Sequence, residues 1–375
     1  MPLPCLSMRV LMATPRFLPQ IGGVERHVER VAKRLVERGT DVTVLTTGLE
    51  QGLPARERIG GIDVIRVSAM RKGKDFYAAP GIYTEVKRGD WDIVHVQSYH
   101  TFVAPLAMSG ALKAHVPFVL TFHGGGHSSR LRTRIRSTQL LTLSPLLRRA
   151  SRLVAVARFE IEHYGRLLRL PDTRFALIPN GAELPTPPQT DRPRPAGMQI
   201  ASIGRLERYK GHQRVIAALP HILRSRPDAT LWIAGSGPYE PELRELASRL
   251  GVADRVLIEA VPADADQELA ARLSAVDVVV LMSEFETHPL AVLEALALGR
   301  PVVVADTSGL SELAAEGHAR AVPLQSDPAV LAAAVLAEAE HPTRSGALVL
   351  PSWDDCADAH QALYESVLKE TACAS

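Results

Sequence analysis

Cysteine is scarce: Cys5, Cys356 and Cys373 are the only three in 375 residues, with no CxxC pair and no metal-ligand spacing. That excludes a disulfide framework and a cysteine-based zinc site, and it points to a reducing compartment. Long apolar runs are missing too, and none approaches the roughly 18–20 residues of a membrane-spanning helix. The opening MPLPCLSMRVLMATP lacks signal-peptide architecture, so RVLMATP reads as a first buried strand and a cytoplasmic location is expected. The net charge is only +2, which provides no global basic field, and nucleic acid is not expected as a partner. HExxH, GxSxG and the Walker spacing GxxxxGK[ST] do not occur, nor does a complete GxGxxG after the first strand. Zinc hydrolases, α/β-hydrolases, P-loop enzymes and dinucleotide-binding proteins therefore lose their support. The remaining composition, 46% hydrophobic and 22% charged, is that of a globular enzyme, and the length exceeds what one core usually holds.

Short β-rich runs alternate with helical ones. In the first half they are 9–15, 41–47, 62–67, 92–97, 117–122, 152–157 and 175–179; in the second, 198–204, 229–235, 255–260, 276–283, 301–306 and 319–324. They lack clean polar/apolar alternation, so they read as strands buried on both faces, as in a parallel sheet covered by helices. VERHVERVAKRLVERG (24–39) is an amphipathic helix with Val24, Val28, Val31 and Leu35 on one stripe and Gly39 as its stop. The proline-dense run from 184 to 197 sustains neither helix nor central strand. The expected organisation is α/β throughout: a first Rossmann-like domain over 1–184, a linker over 185–197 and a second Rossmann-like domain over 198–352. The C-terminal run from Ser352, a candidate N-cap, is a further amphipathic helix. Two such domains would create a cleft between the C-terminal ends of their sheets, where ligands bind in these folds.

Several motifs lie at strand ends. In SEFETHPLAVLEALALGRPVVV (283–304), Pro289 is expected as the first residue of a helix that runs to Leu298 and stops at Gly299. Free amides around 288–291 and the positive helix end would form an anion site. Glu286 before that helix and Glu294 within it suit sugar and ribose hydroxyls, although a solvated or dipole-stabilising pair of glutamates fits the spacing as well. In SIGRLERYKGH (202–212), Gly204-Arg205 ends a strand and Lys210-Gly211 opens a helix. Arg205 can bind phosphate oxygens with two parallel bonds and Lys210 adds a point charge; the alternative is an exposed basic loop. IAGSGP supplies Gly235 and Gly237, and IPNGAE supplies Asn180 in a strand-end turn. In the first domain, Gly22-Gly23 precede the first helix, where glycine permits close approach of an anion. His123 follows a strand and precedes three glycines, which suits contact with a reacting group or an ordinary turn. The same glycines make His127 implausible as a helical metal ligand. His95, inside a strand, reads as a satisfied core residue.

Taken in order, GGVERHV, TFHGGG, IPNGAE, SIGRLERYKG, IAGSGP and ETHPLAVLEALALGRPVV resemble glycosyltransferase family 4, retaining transferases of the GT-B fold in the group of the glycogen synthases and mannosyltransferases. The resemblance covers nearly the whole chain. It implies two Rossmann-like domains facing across a cleft, with the last helix, 353–375, returning to the first domain. It also implies roles. Arg205 and Lys210 would neutralise a donor diphosphate, Glu286 would hold hydroxyls of the transferred sugar, and Glu294 would hold the ribose. His288, Pro289 and Leu290 would lie by sugar and phosphate, with Gly204, Gly235 and Gly237 in the donor loops. Gly22 and Gly23 would approach the diphosphate, His123 would sit beside the reacting sugar, Asn180 would lie in the cleft loop, and the base would rest near Glu259, Val261 and Pro262. One departure is local: many relatives carry Gly-Phe-Gly after the first glutamate, where this chain has Thr287-His288-Pro289.

The expected reaction is transfer of a hexose or N-acetylhexosamine from a nucleotide diphosphate sugar, UDP ahead of GDP, to a hydroxyl acceptor in polysaccharide, glycolipid or glycoside synthesis. Cationic side chains and a helix end would take the place of a metal, and no cofactor is expected. Retention allows same-face attack, the favoured route, or a covalent intermediate on Glu286. Two rivals are a GT-B sugar-nucleotide epimerase, which needs no acceptor, and a dinucleotide-binding regulator or dehydrogenase, which the incomplete GxGxxG opposes. The basic stretches 71–76 and 127–152 suit peripheral contact with the inner membrane face and a lipid-linked acceptor; a solvated helix beside the cleft explains them equally.

Overall fold

A computed structural model describes residues 7–20, 22–48, 52–71, 77–124, 130–185, 196–262, 265–343 and 350–374. The chain divides into two compact units, one over 1–124, 131–181 and 351–375 and the other over 125–130 and 182–350. Most of the expected linker, and His127, lie outside the described residues. The same holds for 72–76 and for the side chains of 125–137, so the basic stretches are described only in part. No helix of the described residues is long and apolar enough to cross a membrane.

The first unit runs β1 (Arg9–Ala13), α1 (Gly23–Glu37), β2 (Asp41–Gly48), β3 (Arg56–Ile59), β4 (Ile62–Ser68), β5 (Met70–Arg71), β6 (Tyr77–Ala78), α2 (Gly81–Arg88), β7 (Ile93–Gln97), α3 (Val103–Ala114), β8 (Phe118–Thr121), α4 (Arg130–Leu147), β9 (Arg152–Ala155), α5 (Arg158–Leu168) and β10 (Phe175–Leu177). Its main sheet has the order β10-β9-β8-β7-β1-β2-β4-β3. All neighbours are parallel except β3, which pairs antiparallel with β4. The central strands are buried on both faces, with Leu11, Val94, Val96, Phe118 and Leu120 in the core. Every run read as a strand contains one. The sequence signal missed β3 and the short β5–β6 pair. β3 reads RERI, and as an edge strand it needs no continuous apolar run. On α1 the stripe of Val28, Val31 and Leu35 is buried as expected and His27 joins it, while Val24 is only half-buried.

The second unit runs β11 (Gln199–Ile203), α6 (His212–Ser225), β12 (Thr230–Ala234), α7 (Glu240–Arg249), β13 (Val256–Ile258), α8 (Asp266–Ser274), β14 (Val278–Leu281), α9 (Leu290–Ala297), β15 (Val302–Ala305), α10 (Ser308–Ala315), β16 (Arg320–Val322) and α11 (Pro328–Glu340). Its sheet, β13-β12-β11-β14-β15-β16, is parallel throughout. Both sheets reverse direction of growth beside their first strand, between β1 and β7 in one unit and between β11 and β14 in the other. These are the switch points where ligands bind in such sheets.

The last helix, α12 (Trp353–Ala374), belongs to the first unit. Ser352 caps it as expected: its Oγ accepts from the Asp355 amide at 3.0 Å, and the Asp355 carboxylate accepts from the Ser352 amide at 2.8 Å. Trp353, Ala357, His360, Tyr364 and Val367 recur at helical spacing and are buried. Asp354 and Asp358 pair with Arg34 of α1 and with Arg38, its C-cap. A helix polar all round could not dock this way; the apolar stripe makes α12 part of the core.

Candidate active site

In the second unit, the loops after β11 and β14 flank the switch point and are laced together by their main chains. The Glu284 amide donates to the Tyr209 carbonyl at 2.7 Å, and Ser283 Oγ donates to the Lys210 carbonyl at 3.2 Å. Gly211 has φ +80, and a Cβ there would lie 1.8 Å from the Met282 carbonyl oxygen. Only glycine allows that approach. This lacing brings Lys210 and Glu286 together across 76 residues of sequence, Nζ to Oε1 at 2.6 Å. Both side chains are largely buried, 15% and 10% exposed. Burial opposes the Lys210 charge, but the Glu286 carboxylate and Tyr209 outweigh it and hold the ammonium above its ordinary pKa. Arg205 stands nearby on the exposed rim, 62% exposed, bonded to the Tyr209 hydroxyl at 3.0 Å and facing Glu207 at 3.2 Å.

Pro289 is the N-cap of α9, with ψ 115, not its first helical residue. The expectation for Pro289 fails because the chain must still turn after Glu286, so the helix starts at Leu290, which packs on the core. Its stop holds at Gly299, φ +70. His288 is half-buried, and burial pushes its pKa down to about 4. Glu294 lies buried one turn into α9. Gly204 has φ +148 at the end of β11, and Gly235 and Gly237 end β12. A Cβ at Gly235 would meet the Gly204 carbonyl oxygen at 2.0 Å, so this pair packs backbone on backbone. Glu259, Val261 and Pro262 follow β13. Glu259 pairs with Arg272 at 2.6 Å, Val261 packs on the core, and the Pro262 carbonyl accepts from Ala265 at 3.1 Å.

In the first unit, Gly22 is the N-cap of α1 and Gly23 its first residue. A Cβ at Gly23 would meet nothing within 4 Å. His123 follows β8 in a left-handed conformation, φ 45, and its Nε2 donates to Gln97 Oε1 at 2.6 Å. Burial and then the neighbouring His360 push its pKa down to about 3, so the ring is neutral. The next residue is anchored by buried Glu160, whose carboxylate accepts from the amides of Gly124 and Val156, each at 2.9 Å. Asn180 is buried, and its Oδ1 accepts from His27 Nδ1 at 2.9 Å. The His27 and His123 rings lie 4.6 Å apart. His95 is the satisfied core residue expected, bonded to the Tyr364 hydroxyl at 2.6 Å and Thr121 Oγ1 at 2.7 Å. His360 completes the layer, its Nδ1 donating to the Cys356 carbonyl at 2.8 Å.

Gln97, Glu160 and His360 escaped the sequence reading because they lie inside helices or strands with no local motif; His27 stands within GGVERHV, which points to no chemistry of its own. His212, at the start of α6, escaped as well. It holds Ser202 Oγ at 2.9 Å and, pushed by burial to a pKa of about 4, buttresses the Arg205 loop through its carbonyl. A polar residue at a strand's last position, as Gln97 is, was the available signal.

The chain can now be set beside known proteins. A family model described as Glycosyltransferase Family 4 matches residues 21–184, and one described as Glycosyl transferases group 1 matches 197–341. The chain is 30% identical to glycogen synthase of Mycobacterium tuberculosis over 366 residues, covering 89% of this chain and 87% of that one. It is 29% identical to an uncharacterized glycosyltransferase of Methanocaldococcus jannaschii over 348 residues, 82% of each. Among solved structures, the Anabaena protein HepE, in complex with UDP and glucose, superposes with a TM-score of 0.72 at 19% identity over 97% of this chain and 98% of that one. An eight-stranded sheet, parallel except for β3, in one unit and a six-stranded parallel sheet in the other are the GT-B architecture. With both halves matched by their family models, the chain belongs to the family 4, group 1 glycosyltransferases.

Proposed function

We propose that the protein is a retaining, metal-independent glycosyltransferase that moves a hexose or N-acetylhexosamine from a UDP-sugar to a hydroxyl acceptor. The observation that carries this reading is the buried Lys210–Glu286 pair at the switch point of the second unit, with Arg205 on its rim. A cation held beside a carboxylate suits a ligand that has both a diphosphate and sugar hydroxyls. Breaking the anomeric C–O bond leaves charge on the diphosphate. Lys210 and Arg205 stabilise that charge as it develops, the type of contribution that often dominates such barriers. Glu286 accepts hydrogen bonds from sugar hydroxyls, and Glu294 from the ribose. Neutral His123, its Nε2 proton committed to Gln97, keeps Nδ1 as an acceptor for a sugar hydroxyl. The acceptor hydroxyl attacks from the face the leaving group vacates, and the departing phosphate takes its proton.

The UDP choice draws on the HepE complex. The acceptor belongs to polysaccharide, glycolipid or glycoside synthesis. The site of action is the cytoplasm, with peripheral contact at a membrane face for a lipid-linked acceptor.

A thermal-shift panel of UDP, GDP, ADP and NAD tests the donor reading on wild type and on an Arg205→Ala, Lys210→Ala variant. At a hundred times its dissociation constant a ligand stabilises by about 2.7 kcal/mol. UDP is expected to raise the melting temperature of wild type and not of the variant. A shift with NAD alone, or an equal UDP shift in the variant, would reject the assignment.

A further inference from the structure

Five non-glycine residues among those described have a positive φ: Ser98, His115, His123, Arg169 and Ser308. His115 and Arg169 close α3 and α5, where a left-handed residue is an ordinary helix stop. The other three stand within three residues of a strand's C-terminal end, after β7, β8 and β15. Backbone strain kept at such places clusters at functional sites. Ser98 follows Gln97, the partner of His123, so two of the three belong to a residue already assigned. Ser308 is the one without a role.

At Ser308, φ is 46 and the chain enters α10. Its Oγ accepts from the Glu286 amide at 2.9 Å, and the next amide, of Gly309, donates to the Glu286 carbonyl at 2.9 Å. Thr307 Oγ1 donates to the Ser283 carbonyl at 2.9 Å. A Cβ on Gly309 would lie 1.7 Å from the Thr287 carbonyl oxygen, so the two loops touch backbone to backbone. The first turn of α10 thus grips both polar groups of the Glu286 main chain, while the Glu286 carboxylate engages Lys210. Glycine would adopt this φ without steric cost. A serine held there keeps its strain for its hydroxyl.

We propose that Ser308 is a positioning residue for transfer: its hydroxyl fixes the Glu286 main chain so that the carboxylate is aimed at the sugar. This rests on the sugar-binding role given to Glu286 above. It separates two quantities that a purely structural serine would couple. Ser308→Gly and Ser308→Ala both remove the acceptor, but only the glycine relieves the backbone.

The test uses the member of a panel of UDP-glucose, UDP-N-acetylglucosamine, GDP-mannose and ADP-glucose that wild type turns over, followed by release of the nucleoside diphosphate. Both variants should lose about tenfold in kcat, the equivalent of one neutral hydrogen bond. Their affinity for the nucleoside diphosphate alone should stay at the wild-type value. Ser308→Gly should melt several degrees above Ser308→Ala. Placed on Glu286→Gln, Ser308→Gly should cost little more, because the two act through one carboxylate. Wild-type kcat in Ser308→Gly, activity that follows melting temperature, or full additivity with Glu286→Gln would overturn the proposal. Wild-type turnover in Glu286→Gln alone would instead remove the reading of Glu286 on which it rests.

Discussion

Lys210 and Arg205 would both act on a diphosphate, yet their surroundings set different costs for removing them. Lys210→Ala strands a carboxylate that is 10% exposed. That should cost about 3 kcal/mol of stability. Arg205 is 62% exposed, and its loss should cost under about 1 kcal/mol. Denaturant titration of the second unit's unfolding should show this split even where both variants lose turnover. The glycines divide in the same way. Gly23 has open space where a side chain would go, and Gly235 has a carbonyl oxygen at 2.0 Å. Gly23→Ala should leave the melting temperature unchanged and lower turnover at least tenfold, the mark of a glycine kept for a ligand. Gly235→Ala should lose stability and turnover together.

The informative element is α12. Its N-cap was legible at Ser352, and its buried stripe as a helical period. Its partners were not. His360 and Tyr364 meet His95 and His27 only because the helix returns to α1 across more than 300 residues of sequence. Ser352→Ala should cost the first unit about 1 kcal/mol. Tyr364→Phe should cost about 1–2 kcal/mol, since it leaves a buried imidazole nitrogen of His95 without its partner. Urea midpoints of the two variants measure both. If Tyr364→Phe unfolds at the wild-type midpoint, the hydroxyl contributes nothing to docking.

At the scale of the molecule, the first unit carries an acid sensitivity that the second lacks in this concentrated form. His27, His95, His123 and His360 come from α1, β7, the loop after β8 and α12, with Cys356 and Tyr364 as the other titratable neighbours. Burial lowers all four imidazoles: His123 to about 3, His360 to about 4, and the other two well below 6.5. Tyr364 is raised well above its ordinary value, and Cys356 is pushed up to about 12, so both stay neutral. The sign follows. Below pH 6.5 the unfolded chain takes up protons that the folded unit refuses, so stability is complete above 6.5 and falls as the pH drops through about 4 toward about 3. Each histidine contributes a slope of up to about 1.4 kcal/mol per pH unit in that window. Melting curves between pH 7 and 4.5 should show the decline, and His360→Gln should reduce its slope by about one proton. A flat profile would mean the layer opens to water.

The two-unit α/β plan, the strand runs, the helix of α1 and the order of the motifs were all present in the sequence, because buried parallel strands and amphipathic helices leave periodic apolar patterns. Lys210 and Glu286 stood out in the sequence as charged residues near strand ends, where a phosphate or sugar site and a solvated surface pair both fit. What the sequence did not contain was juxtaposition. Ser308 gripping the Glu286 main chain, Glu160 holding the residue after His123, Asn180 spent on His27, and Pro289 capping α9 instead of opening it all depend on residues distant in the chain. Contacts of that kind are set by sheet order and by which loops close over a switch point. They leave no local pattern, and only the folded chain decides them.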